Sequence, residues 1–368
     1  MKLKRRVLLL LSAYDPQTHQ AAVEAARTFD WHLDTNLLTP QRMLSDWRGD
    51  GILCSLTNNA SHLNFVQESG LPAVDLSTWR TDIKIPRVSA DNRALGKLAG
   101  EHFIQFAHDN YAWYSSEATP FGDERLTSFE ETVAAHGHRV LRIDSSGRQN
   151  YSTIQRRIQK LPRPCAIFCM NDSDAAWIAS ICLEQGYNIP MDFAILGIDN
   201  NPLICDVHSV PLSSIDKNAK KITYEASLCL QRAMDGETVP DTTRFISHEG
   251  VTQRASSNHF AHKDETIRAA LQYLQDNLSQ KIGTPEVAQI LGISQSGLNK
   301  RFQDVLNKSL HQTLISMRLK AASVQLKKTS DSLEVIAASN GFTHASHLSN
   351  CFKKHYGMSP NTYRKQSD

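Results

Sequence analysis

One pattern occurs twice toward the C-terminal end of this chain, and it restricts the possible fold more than any other feature. Val287-Ala288, Gly292-Ile293-Ser294, Leu298 and Phe302 recur as Ile336-Ala337, Gly341-Phe342-Thr343, Leu348 and Phe352. The offset is 49 residues at first and 50 from the leucine onward, so the second copy holds one extra residue in its turn or helix start. Apolar residues four apart, with no alternating stretches between them, predict helical hairpins and not strands. In the first copy, Thr284 is read as the cap of a helix that starts at Pro285, with Glu286 favourably placed in its first turn. Gly292 stops that helix in the left-handed conformation. Ser294 caps a second helix running to about residue 306. In the second copy Gly341 is the stop and Thr343 the cap. Leu298 with Phe302, and Leu348 with Phe352, face inward. Ser296, Asn299 and Lys300 are left outward in the first copy, and Ala345, Ser346, His347 and Asn350 in the second, with Lys353 and Lys354 just behind.

A helix, a tight turn and a second helix showing short polar side chains suit the major groove of DNA. Asparagine can bond adenine through two atoms, and lysine can reach guanine or phosphate. The net charge of +2 hides this, because it sums two unlike parts. Residues 263–368 carry 14 Lys+Arg and 8 Asp+Glu, a net of +6, while residues 1–262 carry 26 against 30, a net of −4. A basic tail on a mildly acidic body points to a polyanionic partner for the tail. Two hairpins matched at stop, cap and core, in a basic segment, favour DNA binding over ordinary helical packing.

The body reads differently. Strand-like runs at 7–11, 51–56, 73–76, 111–114, 139–143, 165–170 and 193–198 alternate with helix-like runs at 18–28, 92–107, 124–136, 151–161, 172–185 and 216–234. Repeated βα units imply parallel sheets covered by helices. This many units predict two such sheets with a cleft between them. The polar stretch Gln253-Arg-Ala-Ser-Ser-Asn258 lacks periodicity and suits a linker. The expected division is a sensing domain at 1–256, a linker at 257–263 and a DNA-binding domain at 264–368.

Met1-Lys-Leu-Lys-Arg-Arg6 followed by apolar residues looks like the start of a signal peptide, but no small-residue cleavage site follows, and a buried first strand is the expected reading. The longest apolar run is far shorter than the ~20 residues a spanning helix needs, so no membrane partner is expected. Seven scattered cysteines form no zinc-ligand spacing and fit reduced thiols in a cytoplasm. No glycine-rich phosphate loop or nucleophile elbow is present, so no enzyme activity, cofactor or metal is expected. The five tryptophans, Trp31, Trp47, Trp79, Trp113 and Trp177, read as core or subunit interface.

Three body residues stand out. Asn171 follows the run 165–170, Asp199 follows 193–198, and Arg125 lies near the start of its helix. Ligands bind open α/β sheets outside the carboxyl ends of strands, where the first two fall. A carboxylate, an amide and a guanidinium suit a polyol. Helix capping explains Asn171 and Asp199 equally well from the sequence.

The tail is identified as a member of the AraC/XylS family of transcription regulators. Arg318-Leu319, Ala322, Leu326, Ile336-Ala337, Gly341-Phe342, Ser346, Phe352-Lys353-Lys354, Gly357-Met-Ser-Pro360 and Tyr363-Arg364 carry the match. Leu348, Asn350 and Asn307 stand where that family usually has an aromatic, an arginine and a glycine. The resemblance implies base contacts from Ser296, Asn299, Lys300, Ala345, Ser346 and Asn350, with the two units in successive major grooves.

The body resembles the periplasmic-binding-protein-like sensor of the LacI/GalR family. Val88-Ser-Ala-Asp91-Asn92, Gly96, Arg125-Leu-Thr-Ser-Phe129, Met170-Asn171-Asp172, Leu196-Gly-Ile-Asp199-Asn200 and Pro211-Leu-Ser-Ser214 match its landmarks. That family carries its DNA-binding unit at the N-terminus; here the tail takes the role. The two resemblances together imply an activator of sugar genes that binds operator DNA as a homodimer and meets RNA polymerase. Its expected effector is a pentose such as D-xylose, gripped by Arg125 and Asp199, with an N-terminal contribution from the loop at residues 12–19. A repressor, a regulator of another sugar, or an exported sugar-binding protein are the alternatives.

Overall fold

The computed structural model describes residues 4–35, 44–106, 108–143, 150–258, 264–306 and 308–365. Asn307, Ala107 and most of the expected linker, residues 259–263, lie outside the described residues. The chain divides into two compact units, Met1–His259 and Phe260–Asp368.

The first unit holds two six-stranded sheets. Its strands are β1 (Arg5–Leu11), β2 (Trp31–Thr35), β3 (Gly51–Ser55), β4 (Ala73–Asp75), β5 (Arg87–Ala90), β6 (Tyr111–Tyr114), β7 (Val140–Arg142), β8 (Cys165–Cys169), β9 (Phe193–Ile198), β10 (Ser213–Asp216), β11 (Thr243–Ile246) and β12 (Gly250–Thr252). Its helices are α1 (Pro16–Thr28), α2 (Ala60–Glu68), α3 (Asn92–Ile104), α4 (Pro120–Ala134), α5 (Tyr151–Gln159), α6 (Asp172–Glu184), α7 (Pro202–Cys205) and α8 (Ala219–Met234).

The first sheet runs β11-β5-β4-β3-β1-β2 and is parallel throughout. The second runs β12-β10-β9-β8-β6-β7 and is parallel except where β12 meets β10. The chain crosses between sheets three times: after β5, where α3 packs on α4; after β10, where α8 returns to α1, β3, β4 and β5; and between β11 and β12. The first apolar run is β1, a buried inner strand of the first sheet between β3 and the edge strand β2, with Val7 and Leu10 fully covered.

The expected parallel sheets are present, and β12 adds an antiparallel edge. The long helix expected over 216–234 begins only at Ala219. Ser213–Asp216 is strand β10, and Asn218, at φ 65°, turns the chain and caps α8. Polar hydrogen bonding at residues 213–218 overrides the helical periodicity that spans them.

The second unit is all helical: α9 (Glu265–Asp276), α10 (Thr284–Ile290), α11 (Gln295–Leu306), α12 (Leu310–Lys328), α13 (Leu333–Ser339), α14 (Ala345–Tyr356) and α15 (Pro360–Lys365). Helix α12 joins two hairpins, α10–α11 and α13–α14. Leu298 and Phe302 are fully buried, as are Leu348 and Phe352, the second pair against Leu319, Ala322 and Leu326 of α12. Truncating either phenylalanine to alanine would cost roughly 3–5 kcal/mol.

Candidate functional site

Two regions carry chemistry, one in each unit. In the first unit, the carboxyl ends of β1 and β9 face each other across a lysine. Asp15 follows β1, Asp199 follows β9, and Lys217 lies on the crossover after β10. Lys217 Nζ is 2.7 Å from Asp199 Oδ1 and 3.3 Å from Asp15 Oδ2. Burial works against the charge on Lys217, yet the two carboxylates hold its ammonium well above the ordinary lysine range. Burial also opposes ionisation of Asp15, but Lys217 and hydrogen bonds from Thr18 and Gln17 outweigh it and lower its pKa. Asp15 caps α1 as well, so the helix start fixes its carboxylate. A second link joins the lobes where Gln17 Nε2 donates to Asn200 O at 3.0 Å.

Arg125 is buried beside this cluster. Its backbone touches α3 where Gly96 leaves no side chain: a Cβ there would lie 2.0 Å from Arg125 O. Arg125 Nε donates to Asn92 Oδ1 at 3.0 Å, and Nη1 donates to Met170 O at 2.7 Å. Its guanidinium lies 5.0 Å from the Phe121 ring centroid, and Phe121 meets Trp79 edge to face. Burial lowers the arginine pKa to about 10, with Asp199 opposing, so the group stays charged at neutral pH. Among the described residues, Arg125 Nη2 and Asp199 Oδ2 make no hydrogen bond. The Arg125 Nη2 amino group and Asp199 Oδ2 are thus left for a ligand, in a setting where Asp15 and Asp199 balance Lys217 and Arg125.

The sequence-predicted trio divides. Arg125 and Asp199 come close enough for their charges to interact. Asn171 sits at the end of β8 and caps α6, its Oδ1 accepting from Asp174 N at 2.8 Å. The capping alternative therefore holds for Asn171, which keeps only its amide nitrogen for a ligand. It fails for Asp199, because Asn201 caps α7 instead. Asp199 and Asn200 both take positive φ, 116° and 52°, which side chains rarely adopt and which marks a constrained corner. Beneath it Asp172 accepts from Ser214 Oγ at 2.5 Å and Asn201 N at 2.8 Å. Burial, reinforced by the charge of Asp199, lifts its pKa to about 7.

Sequence reasoning expected a contribution from the loop at residues 12–19 without singling out Asp15, and missed Lys217 and Asn92 as site residues. Asp15-Pro16, opening a helix four residues past a strand, was the available signal for the first. Lys217 was hidden inside the expected helix.

In the second unit, Ser296, Asn299 and Lys300 are exposed on α11, and Ser346, His347, Asn350, Lys353 and Lys354 on α14; Ala345 is half-buried. Their outward placement follows from the burial of Leu298, Phe302, Leu348 and Phe352 on the opposite faces. Two caps differ from expectation. Helix α10 starts at Thr284 itself, behind Gly283, whose N–H donates to Glu286 Oε2 at 3.0 Å. In the second copy His344, and not Thr343, stands at the N-cap of α14, so the extra residue lies in that turn. Thr343 Oγ1 contacts His347 Nδ1 at 3.2 Å instead. Ser294 does cap α11, its Oγ accepting from Gly297 N at 3.1 Å.

Two arginines of the tail motif hold backbone. Arg318 donates to Leu278 O and Gln280 O, and Arg364 to Leu326 O and Asp331 O. Arg301 on α11 pairs with Asp264 at 2.7 Å.

Comparison with known proteins agrees with this division. Residues 101–257 match the periplasmic binding protein-like domain family, and residues 287–366 match a helix-turn-helix domain family. The chain is 25% identical over 381 residues to the xylose operon regulatory protein of Escherichia coli K12, covering 98% of this chain and 97% of that protein. It is 24% identical over 328 residues to the protein of the same name in Haemophilus influenzae, covering 86% and 84%. The solved structure of the xylose-binding transcription activator xylR superposes with a TM-score of 0.61 at 22% identity, covering 100% of this chain and 99% of that one.

Proposed function

We propose that this chain, which joins a periplasmic binding protein-like sensor to a tail with two helix-turn-helix units, is a sugar-responsive transcription regulator that activates genes for pentose use, with D-xylose as its effector. One observation carries the reading: Asp15, Lys217, Asp199 and Arg125 converge from both lobes in a chain that also presents two polar reading helices. A balanced set of carboxylates and cations suits a neutral polyol, whose hydroxyls both donate and accept. Asp199 Oδ2 and Arg125 Nη2 take sugar hydroxyls, Asn171 adds its amide nitrogen, and Trp79 with Phe121 offers an aromatic wall for the apolar face of the ring.

Sugar on Asp199 Oδ2, the oxygen that Lys217 leaves open, shifts the balance between lobe arrangements that already exist. Residues 264–368 act as the DNA-binding domain. Ser296, Asn299, Lys300, Ala345, Ser346, His347 and Asn350 meet bases, and Lys353 and Lys354 meet phosphates. A homodimer brings two tails to tandem sites and raises their effective concentration on operator DNA, beside RNA polymerase. A DNA target places the protein in the cytoplasm, and its role is regulatory and not enzymatic.

Calorimetric titration of the full chain with pentoses and hexoses tests the pocket. Hydrogen bonds to a charged group contribute about 1.5–3 kcal/mol, so Asp199→Asn is expected to weaken D-xylose binding at least about tenfold. Unchanged affinity in the folded variant would remove Asp199 from the site.

A further inference from the structure

Asn200 is the most connected residue at the constrained corner. Its backbone N–H donates to Ser214 Oγ at 2.9 Å, and its carbonyl accepts from Gln17 of the other lobe. Its Nδ2 donates to Asp216 Oδ2 at 3.3 Å, on the strand that leads to Lys217. Its Oδ1 accepts from Arg254 Nη1 at 2.9 Å.

Arg254 lies two residues beyond β12, in the segment through which the chain leaves the sensing unit. The same Nη1 donates to Leu212 O at 3.0 Å, and Nε pairs with Asp206 at 2.7 Å. Its backbone N–H donates to Ser213 Oγ at 2.8 Å, and its carbonyl accepts from that hydroxyl at 3.0 Å. The residues that follow are equally fixed. Ser256 Oγ donates to Ile195 O on β9 and accepts from Ser213 N, both under 2.9 Å, and Ser257 Oγ meets His102 Nε2 at 2.8 Å.

We infer that Arg254 is a positioning residue that couples the state of the sugar cleft to the exit segment, through the contact between its guanidinium and the Asn200 side chain. A ligand on Asp199 acts on a backbone corner already held at positive φ, and the next residue, Asn200, is the one that Arg254 grips. Any rotation of the 199–200 peptide must move the Asn200 amide or break its bond to Arg254. Either event reaches residues 255–257 through the Arg254 backbone, which shares Ser213 with Ser256. A coupling route needs a physical element that both sites bias; the corner and the exit segment share this one. The inference rests on the sugar-sensing reading above.

The test uses the full chain, D-xylose as probe, and DNA selected by the wild-type protein. Calorimetry reads sugar affinity, and fluorescence anisotropy reads DNA affinity with and without saturating sugar. The ratio of the two DNA affinities is the coupling factor. Arg254→Gln is expected to bind D-xylose within about threefold of wild type while its coupling factor falls at least about fivefold, the lower range of measured couplings. Arg254→Lys keeps the pair with Asp206 but cannot fork to Asn200 and Leu212, and its coupling factor falls as well. If Arg254→Gln melts early, Arg254→Lys decides alone. An unchanged coupling factor overturns the inference, as does a fall that merely tracks lost sugar affinity. Failure of the wild-type chain to bind any sugar overturns the functional reading itself.

Discussion

Asp199 is held by one ion pair and by a backbone angle that few side chains adopt, and these two facts set its chemistry. Lys217 keeps one oxygen engaged and leaves the other for a ligand. Asp199 was legible in the sequence because it follows a strand end, where sheets bind ligands, and Arg125 because it lies near the start of its helix within a LacI/GalR-like landmark. Asp15 and Lys217 were not, because their partnership joins positions 202 residues apart and no local pattern encodes it. Asp172 makes a prediction at this scale. Burial, with Asp199 added, raises its folded pKa from the ordinary carboxylate value to about 7. The folded state then holds a proton that the unfolded chain releases between about pH 4 and 7, so this group's contribution to stability is lost as pH rises through that window. Asp172→Asn removes the titration. Its melting temperature relative to wild type is expected to rise between about pH 5 and pH 8, as thermal melts across that range will read. Asp75, also lifted to about 7 by burial, acts in both proteins and cancels from the difference. A difference that stays flat or falls with pH would contradict the assignment.

Among elements, the repeated hairpins were the most legible, because a glycine stop and two apolar residues four apart leave one arrangement. The extra residue in the second turn was visible as an offset, but its place at His344 was not, since Thr343 is the better cap by type. Strands β2, β5, β10, β11 and β12 escaped the reading: they are short, and their polar or half-exposed residues blur the period. The two turn glycines are equivalent in sequence and unlike in setting. Both take positive φ, 66° at Gly292 and 72° at Gly341. A Cβ at Gly292 meets nothing within 4 Å, while at Gly341 it would lie 2.3 Å from Leu278 O and 2.7 Å from Arg318 Nε. Left-handed backbone costs an ordinary residue about 1–2 kcal/mol, so Gly292→Ala is expected to lose only that much. Gly341→Ala adds a clash with the backbone that Arg318 clamps, and its loss is expected to be clearly larger. Urea unfolding of the two variants compares them; equal losses would show that the Arg318 clamp yields freely.

For the whole molecule, the net charge of +2 now divides into a sensing unit of α/β lobes and a basic helical tail. The sequence allowed that division because βα alternation stops where helical repeats begin. The three crossovers between sheets were not legible, since they depend on which strands pair across more than a hundred residues. They matter because two of them carry the site: Asn92, which holds Arg125, lies just after the first, and Lys217 lies on the second. Under the proposed function, sugar in the cleft changes how the tail holds DNA. The most direct measurement is the affinity of the full chain for its selected DNA, by fluorescence anisotropy, with and without saturating D-xylose. The expected result is tighter binding with sugar, by about tenfold or more, with Asp199→Asn needing at least about tenfold more sugar for its response. Sugar that binds and leaves DNA affinity unchanged would contradict the account.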